Sequence, residues 1–175
     1  MTSQSPAAGG DTPATRDDKA APVSVLFVCL GNICRSPAAE GVFLHLVAQA
    51  GLDEQFLVDS AGTGGWHVGQ PADRRMRAAA ERRGIVLPSR ARQITLADLQ
   101  RFDHILTMDA DNLAAVQSLA RDTRPTATIT PLTQHCRRHQ AREVPDPYYG
   151  GEAGFEHVLD LLEDACAGLL DSLRR

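Results

Sequence analysis

Residues 23–37 read VSVLFVCLGNICRSP, and this stretch decides the fold. Its first seven residues, 23–29, form a short run that is apolar apart from Ser24 and partly β-branched, which is typical of a buried strand. A loop containing Gly31 follows, and then come Ser36 and Pro37, which are favourable at the N-cap and at the first position of a helix. The stretch therefore predicts a strand, a tight loop and a helix in immediate succession, with Ser36 as the helix N-cap.

The alternation of short apolar runs with amphipathic segments continues along the chain. Further strands are predicted at about 56–60, 104–108 and 127–129, and further helices at about 72–83, 96–101, 110–119 and 155–170, with a long loop over 131–154. Strands that alternate with helices indicate a parallel sheet covered on both faces. We therefore predict one α/β domain of three layers over residues 23–175, with a four-stranded parallel sheet and a phosphate-binding loop after the first strand.

Residues 1–22 are rich in Ala, Pro, Gly, Ser, Thr and charged residues without periodicity, which predicts a disordered tail. They contain no apolar run of the secretory kind, and the longest apolar stretch in the chain is too short to span a bilayer. We therefore expect a cytoplasmic protein without membrane insertion. The net charge of −4 gives no basic field for nucleic acid, so no nucleic-acid partner is expected. A monomer is expected.

Four cysteines are present, and none has the spacing of a zinc site. Thiols in a reducing compartment are therefore the expectation, and no metal or other cofactor is expected.

The loop after the first strand carries Cys29 and, six positions later, Arg35. A phosphate dianion needs converging N–H donors, which a tight loop entering a helix N-terminus supplies together with the helix dipole. Gly31 and Asn32 tolerate the left-handed backbone that such a loop needs. Arg35 adds a planar fork for two phosphate oxygens. The same positive surroundings stabilise a thiolate at Cys29, which makes it nucleophilic, and the Ser36 hydroxyl could donate to that sulfur.

The spacing of these two residues is weak evidence when it stands alone. With 17 arginines in 175 residues, a cysteine meets an arginine at this spacing about one time in ten by chance. Cys136 and Arg142 match it too, but Cys136 follows no convincing strand and no glycine lies between the two. Cys29 ends a buried strand and Arg35 abuts a helix. Residues 29–35 are therefore the candidate site, and the second match is interpreted as solvated surface.

The string VCLGNICRSP at 28–37 resembles the signature of the low-molecular-weight protein tyrosine phosphatase family. Four later segments agree in the same order: DSAGTGGWHVGQPAD at 59–73, ARQI at 91–94, MDADN at 108–112 and DPYYG at 146–150. The resemblance implies a metal-free hydrolase that removes phosphate from phosphotyrosine and small aryl phosphates through a cysteinyl-phosphate intermediate. Tyrosine-phosphorylated proteins would be its substrates.

Asp146 in DPYY matches the general acid of this family. A leaving phenolate, with a free pKa of about 10, benefits from a proton, and the same carboxyl group can then act as base when water attacks the intermediate. Pro145 and Pro147 bracket Asp146 and stiffen its loop. The alternative is a solvated turn aspartate, because Asp-Pro is a common turn pair.

The resemblance implies that Tyr148 and Tyr149 form one wall of a deep cleft and that Trp66 forms the other. The alternative for Trp66 is simple packing at the domain edge, and the neighbouring His67 is interpreted as solvated. The loop residues expected to bind substrate beside the catalytic pair Cys29 and Arg35 are Leu30, Gly31, Asn32, Ile33, Cys34 and Ser36.

Two further roles come from the resemblance. Asn32 and Ser60 are implied to support the phosphate loop from behind, although this chain has Ser89 where some relatives carry a histidine. Cys34 is implied to protect Cys29 as a disulfide partner under oxidation. The alternative is that Cys34 only fills a small apolar gap.

Competing functions remain open at this point. A thiol-coupled arsenate reductase on the same scaffold would use the same loop and would need further cysteines; Cys136 and Cys166 are the candidates. Cys166, however, falls on the predicted inner stripe of the last helix, and DPYY favours an aryl leaving group. A phosphotyrosine-binding module without catalysis and phosphotransfer through Cys29 are weaker alternatives. Release of phosphate from a small aryl phosphate would distinguish catalysis from binding.

Overall fold

A parallel four-stranded sheet lies at the centre of the computed structural model, which describes residues 21–174. Its strands are β1 (Val23–Cys29), β2 (Phe56–Gly62), β3 (His104–Thr107) and β4 (Thr128–Pro131). Their order in the sheet is β2-β1-β3-β4, and all three pairings are parallel. β1 therefore has a neighbour on each side, and the loop that follows it opens at the middle of the carboxyl edge of the sheet.

Helices cover both faces of this sheet, which confirms the predicted three-layer architecture. They are α1 (Arg35–Gln49), α2 (Arg74–Glu81), α3 (Asp98–Arg101), α4 (Ala110–Ala120) and α5 (Glu152–Leu173). The helices α1, α2 and α5 pack around the larger core, to which β1 contributes Val25 and Phe27. The helices α3 and α4 close the smaller core on the other face, to which β1 contributes Leu26 and Val28. Because successive strand side chains point to opposite faces, the apolar run of β1 from Val25 to Cys29 serves both cores.

The boundaries of some elements differ from the prediction for local reasons. The Ser36 N-cap is wrong: α1 begins at Arg35, and its N-cap residue is Cys34, whose side chain makes no capping hydrogen bond. Ser36 lies inside the first turn, where its hydroxyl faces the phosphate loop. The helix predicted from residue 72 begins at Arg74, because the Asp73 carboxylate caps it by accepting backbone hydrogen bonds.

The C-terminal half departs from the prediction in two places. The long loop predicted over 131–154 contains a short 3₁₀ helix, Leu132–His135, and α5 starts at Glu152, three residues before the predicted helix. Cys166 is buried on the inner face of α5, as predicted. The disordered tail predicted at 1–22 lies outside the described residues except for Ala21 and Pro22, so the domain boundaries stay a prediction. No helix within residues 21–174 has the length and apolar character needed to cross a membrane.

Candidate active site

The loop at 29–35 turns sharply at Asn32, whose φ of 57° is the only positive value at a non-glycine position between residues 21 and 174. Its side chain holds this conformation from behind the loop. The amide nitrogen Nδ2 donates to Ser36 Oγ at 2.7 Å and to Ser60 Oγ at 3.0 Å, and Oδ1 accepts from the backbone amide of Arg92 at 3.0 Å. Asn32 thus ties the loop to α1, to β2 and to the segment after α2.

The sulfur of Cys29 lies at the floor of a cleft, 3.0 Å from Ser36 Oγ. Because Ser36 Oγ already accepts the hydrogen bond from Asn32, its own proton is free to point toward the sulfur. A hydroxyl donor of this kind stabilises a thiolate more than a thiol. The side chains of Asn32 and Ser36 therefore lie behind the loop as supports, the position that the resemblance implied for Asn32, whereas both residues were also predicted to bind substrate.

Arg35 is buried, with 3% of its side chain exposed, and its position is fixed by two acceptors. Nη1 donates to Asp109 Oδ2 at 2.6 Å and to the carbonyl of Val144 at 3.1 Å. Burial opposes the charged form, but the hydrogen bond to Asp109 and the nearby acidic groups outweigh it, so the pKa of Arg35 is raised. A permanently charged guanidinium is therefore held beside Cys29.

Asp109 was not identified from the sequence as a site residue. It caps α4 by accepting a hydrogen bond from the backbone amide of Asn112, so its sequence signal is that of an ordinary capping box. Its position just after β3 could have revealed its second role, which is to accept a hydrogen bond from Arg35. The carboxyl ends of β1 and β3 lie side by side, and polar residues that follow neighbouring parallel strands meet at the same edge of the sheet.

Asp146 lies across the cleft from the phosphate loop, with Oδ2 3.7 Å from Arg35 Nη2. Its other oxygen accepts from the backbone amide of Tyr148 at 3.1 Å, so it does occupy a turn, as the alternative interpretation held. The start of this loop is anchored, because the amide of Val144 donates to the carbonyl of Met108 at 2.7 Å. The carboxyl group is 43% exposed and faces the same space as Cys29, where an incoming ligand could reach both.

Aromatic rings form the rim of the cleft, whose volume is about 310 Å³. Trp66 is 71% exposed, which excludes the alternative that it is packed at a domain edge. Tyr148 and Tyr149 contact each other edge to face, with ring centroids 4.9 Å apart. The residues that line the cleft are Cys29, Leu30, Gly31, Ile33, Cys34, Arg35, Trp66, His67, Asp146, Tyr148 and Tyr149.

His67 belongs to this lining, although the sequence analysis interpreted it as solvated. Its Nδ1 is 3.1 Å from Gln70 Oε1, which fixes the ring. A Cβ at position 31 would lie 3.0 Å from the His67 ring, so Gly31 leaves room for the imidazole at the edge of the phosphate loop.

The N-terminus of α2 connects the two loops of the site. The amide of Asp73 donates to the carbonyl of Ile33 at 2.7 Å, and the Asp73 carboxylate pairs with Arg75 at 3.1 Å. Arg75 in turn donates to the carbonyl of Tyr148 at 2.9 Å. This connection has no signal in the sequence, because Arg75 and Tyr148 are 73 residues apart in the chain.

Glu40 is a buried carboxyl group in α1, on the side of the phosphate loop away from the cleft. Burial, the largest cause, raises its pKa to about 7. Hydrogen bonds from the hydroxyls of Ser60 and Ser89 lower this pKa, Asp59 raises it, and Arg92 lowers it. No role was predicted for Glu40 from the sequence.

Comparisons with known proteins agree with this geometry. Residues 24–175 match the model of the family described as low molecular weight phosphotyrosine protein phosphatase. The low molecular weight protein-tyrosine-phosphatase YfkJ of Bacillus subtilis is 43% identical over 87% of this chain and 97% of its own length. The human low molecular weight phosphotyrosine protein phosphatase is 40% identical over 85% of this chain and 94% of its own.

Solved structures give the same result. A protein tyrosine phosphatase from Entamoeba histolytica superposes with a TM-score of 0.81 at 43% identity, covering 86% of this chain and 96% of that one. A Drosophila arginine phosphatase superposes with a TM-score of 0.82 at 32% identity, covering 86% of this chain and 98% of that one. The chain therefore belongs to the low molecular weight phosphotyrosine protein phosphatase family.

Proposed function

We propose that this protein hydrolyses phosphotyrosine and small aryl phosphates through a covalent intermediate on Cys29. One observation carries the proposal: a sulfur, a buried guanidinium and a carboxyl group converge on one cleft with an aromatic rim. The sulfur can act as the nucleophile, the guanidinium can bind the phosphate oxygens, and the carboxyl group can donate a proton to the leaving group.

In the first step the phosphate binds in the loop, where Arg35 and the loop amides bind its oxygens. The Cys29 thiolate attacks phosphorus, and the bond between phosphorus and the phenolic oxygen breaks. Asp146 donates its proton to that oxygen, so the phenol leaves neutral. The fixed position of Arg35, between Asp109 and Val144, favours this step because the guanidinium need not reorganise.

In the second step water attacks the phosphocysteine. Asp146, now ionised, takes a proton from the water, the S–P bond breaks, and inorganic phosphate leaves. Cys29 returns as a thiolate, to which the Ser36 hydroxyl can donate. No redox partner is consumed.

The aromatic rim supports a preference for aryl phosphates. The rings of Trp66, Tyr148 and Tyr149 surround the approach to Cys29, and a phenyl ring can contact them while its phosphate reaches the loop. A phosphoserine side chain is shorter and offers no ring, so it gains less from the same rim.

The arsenate reductase alternative is not favoured by the positions of the other cysteines. Neither Cys136 nor Cys166 lines the cleft. Burial is the largest cause that raises the pKa of each thiol, to about 11 for Cys136. The segment after Cys136 is also tied to α5, since Asp164 accepts from the backbone amides of Arg137 and Arg138.

The test compares purified wild type with Cys29→Ser and Arg35→Lys on phosphotyrosine and phosphoserine peptides, on p-nitrophenyl phosphate and on phosphoarginine. The last is included because one structural neighbour is an arginine phosphatase. Wild type should release phosphate fastest from aryl esters, also in excess chelator. Cys29→Ser should not turn over but should still bind phosphate or vanadate. Arg35→Lys should be nearly inactive, because an ammonium cannot replace the bidentate fork. Substantial turnover by Cys29→Ser would exclude the covalent mechanism.

The cellular setting belongs to the same proposal. The four cysteines are all free thiols in the structure, which supports a reducing, cytoplasmic location and tyrosine-phosphorylated proteins as substrates. A monomer is proposed. Asp146→Ala used as bait in a lysate of the native host would retain such substrates, and size-exclusion chromatography with light scattering would test the oligomeric state.

A further inference from the structure

A continuous chain of hydrogen bonds runs from the sulfur of Cys29 to the buried carboxyl group of Glu40, which is 5% exposed. Sγ is 3.0 Å from Ser36 Oγ, which is 2.7 Å from Asn32 Nδ2. The same nitrogen is 3.0 Å from Ser60 Oγ, which is 3.1 Å from Glu40 Oε1. The chain thus connects the candidate nucleophile to a titratable group that takes no part in the proposed reaction.

The direction of each hydrogen bond in this chain follows from the Arg92 backbone. That amide donates to Asn32 Oδ1, which settles the orientation of the Asn32 side chain and leaves both Nδ2 hydrogens as donors. The hydroxyls of Ser36 and Ser60 both accept from Nδ2, so their own protons point onward. The Ser36 proton has the Cys29 sulfur as its nearer acceptor at 3.0 Å and the carbonyl of Ala61 as a more distant one at 3.5 Å, and the Ser60 proton points to Glu40.

Glu40 is therefore the terminal acceptor of the chain. Within residues 21–174, the Ser60 hydroxyl has no other acceptor at hydrogen-bond distance. Without an acceptor, the Ser60 proton would turn toward Asn32 and compete with the Nδ2 donor. The Asn32 side chain would then lose one of the contacts that hold its left-handed backbone.

The surroundings of Glu40 do not give it a cation of its own. Arg92 lies nearby, but its guanidinium is engaged with Asp59 at 3.0 Å and with Asp98 at 2.9 and 3.1 Å. The other groups that face the carboxyl are the hydroxyls of Ser60 and Ser89 and the acidic Asp59. Glu40 therefore titrates near neutral pH, and its strength as an acceptor changes across that range.

We propose that Glu40 is a positioning residue for the phosphate loop: by accepting the Ser60 proton it keeps Asn32 donating to Ser36, and thereby keeps the Ser36 proton directed at the Cys29 sulfur. The proposal rests on the proposed role of Cys29 as nucleophile. An ionised carboxylate is the stronger acceptor, so the support of the thiolate increases as Glu40 loses its proton.

The experiment measures the rate at which iodoacetamide alkylates Cys29 between pH 5 and pH 9, with the modified residue identified by peptide mapping. The variants are Glu40→Ala, the near-isosteric Glu40→Gln, Ser60→Ala and the double variant. The control is Glu163→Gln, which removes a partly exposed carboxyl group that pairs with Arg83 and is not a member of the chain of hydrogen bonds. Values of kcat and KM and the melting temperature are recorded for each protein.

Glu40→Ala should slow alkylation of Cys29 at neutral pH and lower kcat, each by about 3- to 10-fold, the size expected for one weakened hydrogen bond. KM should change less than kcat. In wild type the alkylation rate should rise additionally as Glu40 loses its proton. In Glu40→Gln this additional rise should be absent, because the amide does not titrate. Ser60→Ala and Glu40→Ala should be non-additive, because they break the same chain. Glu163→Gln should match wild type.

Additive effects in the double variant would overturn the proposal. So would a Glu40→Gln profile identical to that of wild type, or a lowered melting temperature with unchanged alkylation and kcat, which would make Glu40 a purely structural residue. If Glu40→Ala does not fold, the alkylation rates and kcat of Glu40→Gln and Ser60→Ala test the proposal. If the proposed function is wrong, Cys29→Ser keeps its turnover. The role of Glu40 is tested separately, because the alkylation rate of Cys29 does not depend on turnover.

Discussion

The guanidinium of Arg75 donates a 2.9 Å hydrogen bond to the backbone carbonyl of Tyr148, two residues beyond Asp146. The same side chain pairs with Asp73 and stacks on the rings of Tyr148 and Phe155, with centroid distances of 5.4 and 4.8 Å. Arg75 thus holds the loop of Asp146, the proposed general acid, against α2, whose N-terminus contacts the phosphate loop.

Arg75→Met should therefore weaken proton donation from Asp146 to the leaving group. We expect kcat for phosphotyrosine to fall about 3- to 10-fold, the range for losing a partly exposed charged hydrogen bond. Hydrolysis of p-nitrophenyl phosphate should fall less, because its leaving group needs little protonation. The matched control is Arg74→Met, which removes an exposed arginine from the same turn. Equal losses on both substrates would show that Arg75 does not position the acid.

Asp146→Asn should show the same leaving-group dependence more strongly. An amide keeps the shape of the side chain but cannot donate a proton to the phenolate, so phosphotyrosine should lose on the order of 100-fold or more in kcat. A plot of kcat against leaving-group pKa over a series of aryl phosphates checks this. A slope unchanged from wild type would mean that another group is the acid.

Trp66→Ala should raise KM for aryl phosphates and reduce discrimination against phosphoserine peptides, since a ring contact contributes about 1 kcal/mol beyond buried area. Gly64→Ala tests the same contact in a second way, because a Cβ at position 64 would clash with the Trp66 ring and must displace it. Both variants should shift selectivity in the same direction. An unchanged ratio of kcat/KM values in both would show that Trp66 does not contact substrate.

Peroxide should inactivate the protein reversibly through Cys29 and Cys34. Both thiols are buried and free, and Cys34 lines the cleft. Oxidation of Cys29 gives a sulfenic acid, and attack by Cys34 forms a disulfide with loss of water. Burial raises the pKa of the Cys34 thiol, so capture should become faster as pH rises and its thiolate fraction grows.

The control for this prediction is Cys34→Ser, which should keep most of its turnover but recover poorly with thiol reductant after the same peroxide treatment. Peptide mapping should find Cys29 linked to Cys34 in the oxidised wild type. A bond between Cys29 and Cys136 would reject the protective pair and favour the arsenate reductase alternative.

Glu40 should also make the stability of the protein depend on pH. Its folded-state pKa of about 7 exceeds the ordinary value of 4.5, so the native state binds more protons than the unfolded state between these values. Stability therefore falls as pH rises through this window. Gln at this position does not titrate, so the free energy of unfolding of Glu40→Gln relative to wild type should rise by roughly 2–3 kcal/mol from pH 4 to pH 8. Urea unfolding at several pH values measures the difference, and a constant difference would contradict the raised pKa.

The parts of the structure that local sequence encodes were predicted well. The strand β1, buried on both faces, is visible in the apolar run at 25–29, and the helices follow from their apolar stripes and stop signals. The N-cap was wrong because Ser36 is also the residue that the phosphate loop needs beside Cys29, and this tertiary requirement overrides a local preference. Such a conflict is common where a loop binds a ligand.

The residues near the site that were not predicted from the sequence have partners distant in the chain. Asp109 lies 74 residues from Arg35, and its capping signal accounts for it without reference to the site. Arg75 resembles its exposed neighbours until the loop at 146–149 is placed beside it. Glu40 occupies an ordinary helix position, and only its burial beneath Ser60 distinguishes it.

The exposure of Trp66 has a practical consequence for spectroscopy. It is the one tryptophan in the sequence, and at 71% exposure its indole is already largely hydrated in the native state. The wavelength of its fluorescence will therefore shift little on unfolding, so this emission will be a poor measure of whether the core is folded. The same emission should respond clearly when a ring or an oxyanion enters the cleft beside it. Titration with vanadate or an unreactive aryl phosphonate can thus follow occupancy of the site directly, without a label and in variants that have lost turnover.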